Sequence, residues 1–454
     1  MNKGFEDWLG QHDKKVFIIL FMILFAGFLV RYAAVGYGIG SGGNYYYSYL
    51  ASVVIDHDLD FSNQVQQFPH LQYNKSMFHY EKQVVPTLTP TGKISNEVAV
   101  GAALFWLPFF LLGHALVLVV NAVGAHLTTN GWSSIEQIIT MFGSILYSTL
   151  GLYVVYTFAR TWYSRTISLI ATLSILFGFA TIHYVMVEPS YAHGLTILTV
   201  GLFITYFYRH SRDNSWKKWI THGALTGMMM LSRWQEGFFT IIPLAYYLYD
   251  FAQGKEKKVT FFLKGIMYVL SALIVFIPQL IVWNSVYGVS YKLPQGVPLI
   301  FDFVHPLISE FLFSFQHSLL ITTPIILLSL FGLHYFRKKE PAFSMTLVLA
   351  LLIHVYVNSS LIELGGNAFG ARRMIDSVII FAVFLAALLD RLQHTSWFIP
   401  TLCFIGVLIA YNLLYMLEYE LNLINRLKPV YPADVLGNIV RIVKTGLRLM
   451  NLSK

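Results

Sequence analysis

The sequence predicts an all-α protein that crosses a membrane many times, and three observations carry that expectation. Of its 454 residues, 56% are hydrophobic and only 12% charged, where soluble chains average about 25% charged. Apolar runs long enough to cross about 30 Å of hydrocarbon as helices recur along the whole length. The basic residues gather in short segments between those runs, as they do where positive loops stay on the cytoplasmic side. Together these features exclude a soluble enzyme, a disordered chain and a nucleic-acid binder, despite a net charge of +8. The single cysteine, Cys403, lies in an apolar run, so no intrachain disulfide forms.

Taken in order, residues 1–15 form a polar, cytoplasmic N-terminus ending in Lys14-Lys15. The run Val16–Tyr37 is too long for a signal-peptide core and lacks a small-residue cleavage site, so it reads as a retained span. Further runs cover about 98–123, 135–158, 166–187, 191–208, 220–249, 261–288, 318–335, 343–360, 374–390 and 397–417. Seventeen of the 31 Lys and Arg residues lie in residues 1–15, 159–165, 209–219, 250–264 and 336–342 and at Arg391, which places these segments together on one side. Residues 38–134 hold only Lys75, Lys82 and Lys93, and are expected outside as a large first loop. Two parity constraints follow. The run 98–123 is expected to be re-entrant, broken near Pro108, and 220–249 must go out and return through a turn at Ser232–Gly237. The result is about 11 crossings with one embedded hairpin. The whole of 16–417 then forms a single membrane module, and 418–454 an outer-face tail whose residues 433–454 read as a basic amphipathic helix on the bilayer surface.

On this map the unusual polar residues collect on the outer face. The first loop carries Tyr45-Tyr46-Tyr47 and the acids Asp56, Asp58 and Asp60, then His70, His79 and Glu81. A second segment offers His183, Glu188 and His193; a third Arg233, Trp234, Gln235 and Glu236; a fourth Gln295 and His317; a fifth Arg372 and Arg373. Ionisable groups at membrane depth are costly and default to function. The chemistry they suggest is transfer from a lipid-linked phosphate. A carboxylate takes the proton of an acceptor hydroxyl, and arginines grip the phosphate and stabilise it as the leaving group. Each group also has a plainer role. The aspartates can cap a surface helix, Arg233 can pair with Glu236, Arg372-Arg373 can anchor to headgroups, His183 and His193 can sit satisfied in the core, and the tyrosines can form an interfacial belt. No metal-ligand spacing is evident, so a divalent metal is only weakly signalled and no other cofactor is implied.

The stretches YYYSYLASVVIDHDLDF, TPTGKISNEVAVGAALFWLPFFLLGH, VEPSYAHG, LSRWQEG, LPQG, FSFQHSLLITTP and GGNAFGARRMID, in that order between residues 45 and 376, resemble the bacterial polytopic glycosyltransferases of the GT-C superfamily. That superfamily includes the protein O-mannosyltransferases and the aminoarabinose transferase of lipid A. The resemblance implies a first outer loop with juxtamembrane helices, a polyprenyl-phosphate sugar donor, a glycan, lipid or protein acceptor of the envelope, and inverting transfer outside the bacterial inner membrane. It implies Asp58 or Asp60 as base with Asp56 behind, and Arg233, Arg372 and Arg373 on the donor phosphate. Glu188, His193, Trp234, Gln235, His317 and Tyr46 would surround the substrates. One departure stands out. Many such enzymes have an acid just after the first span, where this chain has Asn44, which cannot act as a base. Two other classes share the composition: a transporter or flippase of a lipid-linked sugar, which would need polar groups at the bilayer midplane, and a ligase using a lipid-diphosphate donor.

Overall fold

The structure, a computed structural model, describes residues 3–68, 88–213, 215–254, 257–291, 301–361, 368–426 and 428–439. The expectations on His70, His79, Glu81, Gln295 and the greater part of the surface tail fall outside these residues. The described chain is a helical bundle, and its only β-pairing is two isolated bridges, Leu88 to Ile94 and Phe301 to Leu361.

The first helix, α1 (Lys3–Val35), is followed by a short α2 (Gly43–Ala51) that runs on as a π-turn to Asp56, and by α3 (Ser62–Val65). Then come α4 (Gly101–Ala122), α5 (Ser134–Ala159), α6 (Arg165–Gly178), a π-turn His183–Val187 and α7 (His193–Arg209). Next are α8 (Trp216–Ser232), a 3-10 turn Trp234–Thr240, α9 (Ile241–Ala252), α10 (Lys258–Tyr287) and α11 (Ile308–Phe313). The chain closes with α12 (Ile325–Lys339), α13 (Pro341–Ser359), a 3-10 turn Arg372–Ser377, α14 (Val378–Leu392), α15 (Phe398–Glu420) and α16 (Pro432–Gly437).

Six of these helices, α1, α4, α5, α10, α13 and α15, are long and apolar enough to span a membrane. Local signals set several starts. Ser133 accepts from Glu136 N while Glu136 accepts from Ser133 N, a capping box that opens α5. Ser164 and Ser215 cap α6 and α8 in the simpler way, and Gly288, at φ +78°, ends α10.

The centre of the bundle is α14, whose residues Val378–Leu389 are all buried, as a helix apolar on every side should be. Around it stand α5, α6, α7 and α12. The periphery is different in kind: on α10, Ile266, Leu270, Ile274 and Ile281 are exposed, which suits contact with lipid. Pro108 does not break its run. Helix α4 is continuous from Gly101 to Ala122 with the proline inside, and its Phe105 and Phe109 pack on Tyr147 of α5 at 5.4 and 5.9 Å. Away from water a freed carbonyl has no solvent to turn to, so the helix tolerates proline rather than ending.

Two glycines draw the first loop onto the bundle. A Cβ on Gly101 would stand 2.1 Å from the Leu231 carbonyl oxygen, and one on Gly43 would stand 2.0 Å from Ser190 Oγ. The start of α4 is therefore pressed against the end of α8, and the start of α2 against the loop before α7.

Candidate functional site

Helix α8 stops at Ser232, and Arg233 takes an extended backbone with its N–H still bonded to Met229 O at 3.1 Å. That break turns the Arg233 side chain into the protein, where only 6% of the residue stays exposed. Its Nη1 donates to Asp376 and to His193 Nδ1 at 3.2 Å, and it forms an ion pair with Glu236, whose Oε1 lies 3.2 Å away. Gln235, with its carbonyl oxygen toward the guanidinium, accepts from Nε at 3.2 Å and Nη2 at 2.7 Å. Asp376 also accepts from the Thr196 hydroxyl. The acid arrives on the 3-10 turn before α14, the histidine and threonine on the first turn of α7, so three parts of the chain meet on one guanidinium. A planar fork with five donors suits such a node, where a lysine would not.

Beside this node lies an aromatic wall. The Arg372 guanidinium stands 5.2 Å from the Tyr191 ring and 6.0 Å from that of Tyr184, both in the range of cation–π attraction. Tyr191 stacks on His193 at 5.9 Å and approaches Tyr46 at 6.5 Å, and Tyr46 in turn lies 6.4 Å from Trp106. The two phenols are pinned: Tyr191 accepts from Gly42 N at 2.9 Å, Tyr184 from Phe369 N at 3.0 Å. Arg233, Arg372 and Asp376 are among the strongest electrostatic neighbours of Tyr46, and Arg373 is among those of His193. Tyr46, His193, Arg233, Gln235, Arg372 and Arg373 thus share one neighbourhood, with Trp234 on the same turn.

The first-loop acids are organised separately. Asp56 accepts from Gln64 Nε2. His57, in the left-handed conformation at φ 57°, turns the chain back, and Asp58 Oδ1 accepts from Ser52 Oγ at 2.8 Å and from Asp60 N at 3.0 Å. Asp60 Oδ1 accepts from Ser62 N at 3.0 Å. Because the chain folds back, Asp58 meets the helical rod at Ser52, six residues beyond Tyr46, an axial step of about 9 Å. Asp58 is exposed and Asp60 half-buried. Glu188, half-buried, ends the π-turn with its N–H on His183 O at 2.8 Å and is an electrostatic neighbour of Tyr184 and Tyr37. His183 lies behind the wall, stacked on Phe369 at 4.9 Å and bonded to Glu420 at 2.9 Å. His317 is elsewhere: its Nε2 bonds Arg426 O at 2.9 Å and ties the segment before α12 to the one after α15. Asn44 is fully buried, with no hydrogen bond to its amide group among the described residues.

Two participants escaped the sequence reading of the site, Asp376 and His354. Asp376 lies in the same stretch as Arg372 and Arg373, while Glu236 pairs with Arg233 as the sequence allowed. His354 had a signal of its own, an ionisable side chain inside an apolar run. Its Nδ1 pairs with Ser377 Oγ at 2.8 Å, and its ring lies 4.5 Å from Phe238. The ligand atoms of Glu236, His354 and Asp376 lie within 4.8 Å of one another, a spacing able to hold a metal ion. Arg233 already pairs with both carboxylates, however, and supplies the positive charge there.

A family model described as dolichyl-phosphate-mannose-protein mannosyltransferase matches residues 125–283, the part of the chain that holds Glu188, His193 and Arg233–Glu236. No curated protein matches the chain. Among solved structures, the crystal structure of the Archaeoglobus fulgidus oligosaccharyltransferase in the apo form is similar at a TM-score of 0.56 and 11% identity, over 90% of this chain and 55% of that one. The chain therefore spans about half the length of that structure. About a third of the chain thus resembles that mannosyltransferase family, the fold resembles that of the oligosaccharyltransferase, and the described residues include six helices long and apolar enough to cross a membrane.

Proposed function

We propose that the protein transfers a sugar from a polyprenyl-phosphate carrier to an acceptor of the cell envelope, with inversion, at the membrane face that carries the first loop. The observation that carries this reading is the meeting of Arg233, Arg372 and Arg373 with an aromatic wall where several helices end. A phosphate at Arg372 leaves with a second negative charge, which a prearranged guanidinium stabilises in a site shielded from water. Asp376 and Glu236 hold Arg233 in place. Tyr46, half-buried and backed by Tyr191 and Trp106, offers a ring face of the kind on which sugars stack.

Asp58 takes the acceptor proton in this proposal, with Asp60 shaping the turn that presents it. One of its oxygens is anchored on Ser52 and Asp60 N, and the residue is exposed to an arriving hydroxyl. Asn44 is then not the base but part of the buried seat of α2. The cluster lies at helix ends rather than halfway along them, which speaks for an enzyme over a transporter.

The test uses membranes containing the full chain and radiolabelled polyprenyl-phosphate sugars. Label should pass to an envelope fraction and stop doing so in Arg372→Ala. Transfer from a polyprenyl diphosphate donor alone would replace this reading with that of a ligase.

A further inference from the structure

The surroundings of Arg233 Nη1 are those of a bound metal ion. Three donor atoms from three parts of the chain converge on this one nitrogen: a carboxylate oxygen of Asp376, Glu236 Oε1 at 3.2 Å and His193 Nδ1 at 3.2 Å. A fourth donor stands close by on α13. His354 has Asp376 and Arg233 among its strongest electrostatic neighbours, and is itself one of those of His193. Its ligand atom lies within 4.8 Å of those of Glu236 and Asp376. Two carboxylates and two imidazoles are donors that suit zinc and its first-row neighbours.

The groups behind these donors are arranged as they are behind metal ligands, which are held in orientation by partners of their own. One oxygen of Asp376 is bonded to the Thr196 hydroxyl while the other meets the guanidinium, and His354 Nδ1 is held by Ser377 Oγ at 2.8 Å. Glu236 is fully buried, and neither of its oxygens has a hydrogen bond among the described residues. Inside the ring of donors one monovalent guanidinium answers two buried carboxylates, a balance that a divalent ion would complete.

We propose that Glu236, Asp376, His193 and His354 form a divalent transition-metal site whose place is held by the chain's own Arg233, so that guanidinium and metal ion compete for one position. Glu236 and His193 stand 3.2 Å from Nη1, whereas zinc holds oxygen and nitrogen ligands at about 2.0–2.2 Å, so the ring contracts by about 1 Å when the ion replaces the arginine. Gln235, accepting from Nε and Nη2, is the further hold that an entering ion must break. The proposal is a property of these side chains and stands apart from the sugar-transfer reading.

The test uses the full-length protein in nanodiscs, stripped with chelator, and Co²⁺ as the probe, because the visible spectrum of that ion reports how many ligands hold it and of what kind. Arg233→Ala should bind Co²⁺ with the absorption of a four-coordinate nitrogen and oxygen site. Zn²⁺ should displace the cobalt and raise the unfolding midpoint of the variant. The wild type should give the same band only at about 10²–10³-fold higher Co²⁺, the measure of what a buried charge pair is worth to the competing ion. Glu236→Gln or His354→Ala, added to Arg233→Ala, should abolish the band. A folded Arg233→Ala protein that takes up no Co²⁺ would overturn the site, and so would wild-type binding as tight as the variant's, since arginine and ion would then not compete. Where Arg233→Ala does not fold even with Zn²⁺ present, the wild type decides: a band at high Co²⁺ that Glu236→Gln removes supports the site, and the absence of such a band overturns it.

Discussion

The acidic turn after α2 and the arginine cluster beside the Tyr184–Tyr191 wall both lie in the neighbourhood of α2, yet they are built in opposite ways. The turn is local and exposed: Asp56, Asp58 and Asp60 bond to residues no more than eight positions away. The cluster is buried and assembled from afar, with Arg233 reaching His193 at 40 residues' separation and Asp376 at 143. In the turn, a carboxylate can change without disturbing the fold. In the cluster each buried charge is tolerable only while its partners are present. On the proposed reading the exposed turn offers the proton acceptor and the buried cluster the phosphate site.

The sharpest test of that contrast is Arg233→Ala. It leaves Asp376 and Glu236 buried without a cation, and breaking such a pair costs about 3–5 kcal/mol. Thermal unfolding in detergent should show the loss, with transfer gone as well, and Arg233→Lys should restore little because a point charge cannot serve the same fork. A stable Arg233→Ala protein would erase the distinction drawn here.

Asp58→Asn comes next and should show the opposite pattern. Transfer should fall by about 10²–10⁴-fold, the usual worth of a general base, with the unfolding midpoint unmoved. Full activity in this variant and in the Asp58→Asn/Asp60→Asn double variant would take the base away from the loop. Arg372→Ala should lower kcat/KM by about 10²–10³-fold, the range for losing one donor to a developing oxyanion, and an unchanged value would remove its phosphate role. The smallest effect belongs to Asp60→Asn. Its carboxylate serves Ser62 at the head of a short helix, and a lost cap costs about 0.5–2 kcal/mol. Hydrogen exchange confined to residues 52–65 should register it, while exchange at α7 stays as it was.

Much of the architecture is legible in the sequence because its physics is local. The run expected at 135–158 is α5 at Ser134–Ala159, and that at 261–288 is α10 at Lys258–Tyr287, since about 20 apolar residues announce a span on their own. The return turn near Arg233 was legible because basic segments flank it on both sides. The site was harder to read. Arg233 and Arg372 stood out as charges in apolar surroundings, but nothing local says that Asp376 is the partner of Arg233, since the pairing is made by α7 and α14 packing side by side. His354 was hidden by its apolar neighbours, and Pro108 misled because the usual rule for proline assumes that water competes for the backbone.

The long pairing of Arg233 with Asp376 has a consequence for how the protein is made. At about 5–20 residues per second, the ribosome needs roughly 7–30 s to deliver Asp376 after Arg233 has emerged, given the 143 residues between them. Through that interval the arginine enters the bilayer with Glu236 as its nearest counter-charge. The nascent chain is therefore most vulnerable to quality-control proteases before α14 is inserted, and a truncation between residues 233 and 376 leaves the cation without its aspartate.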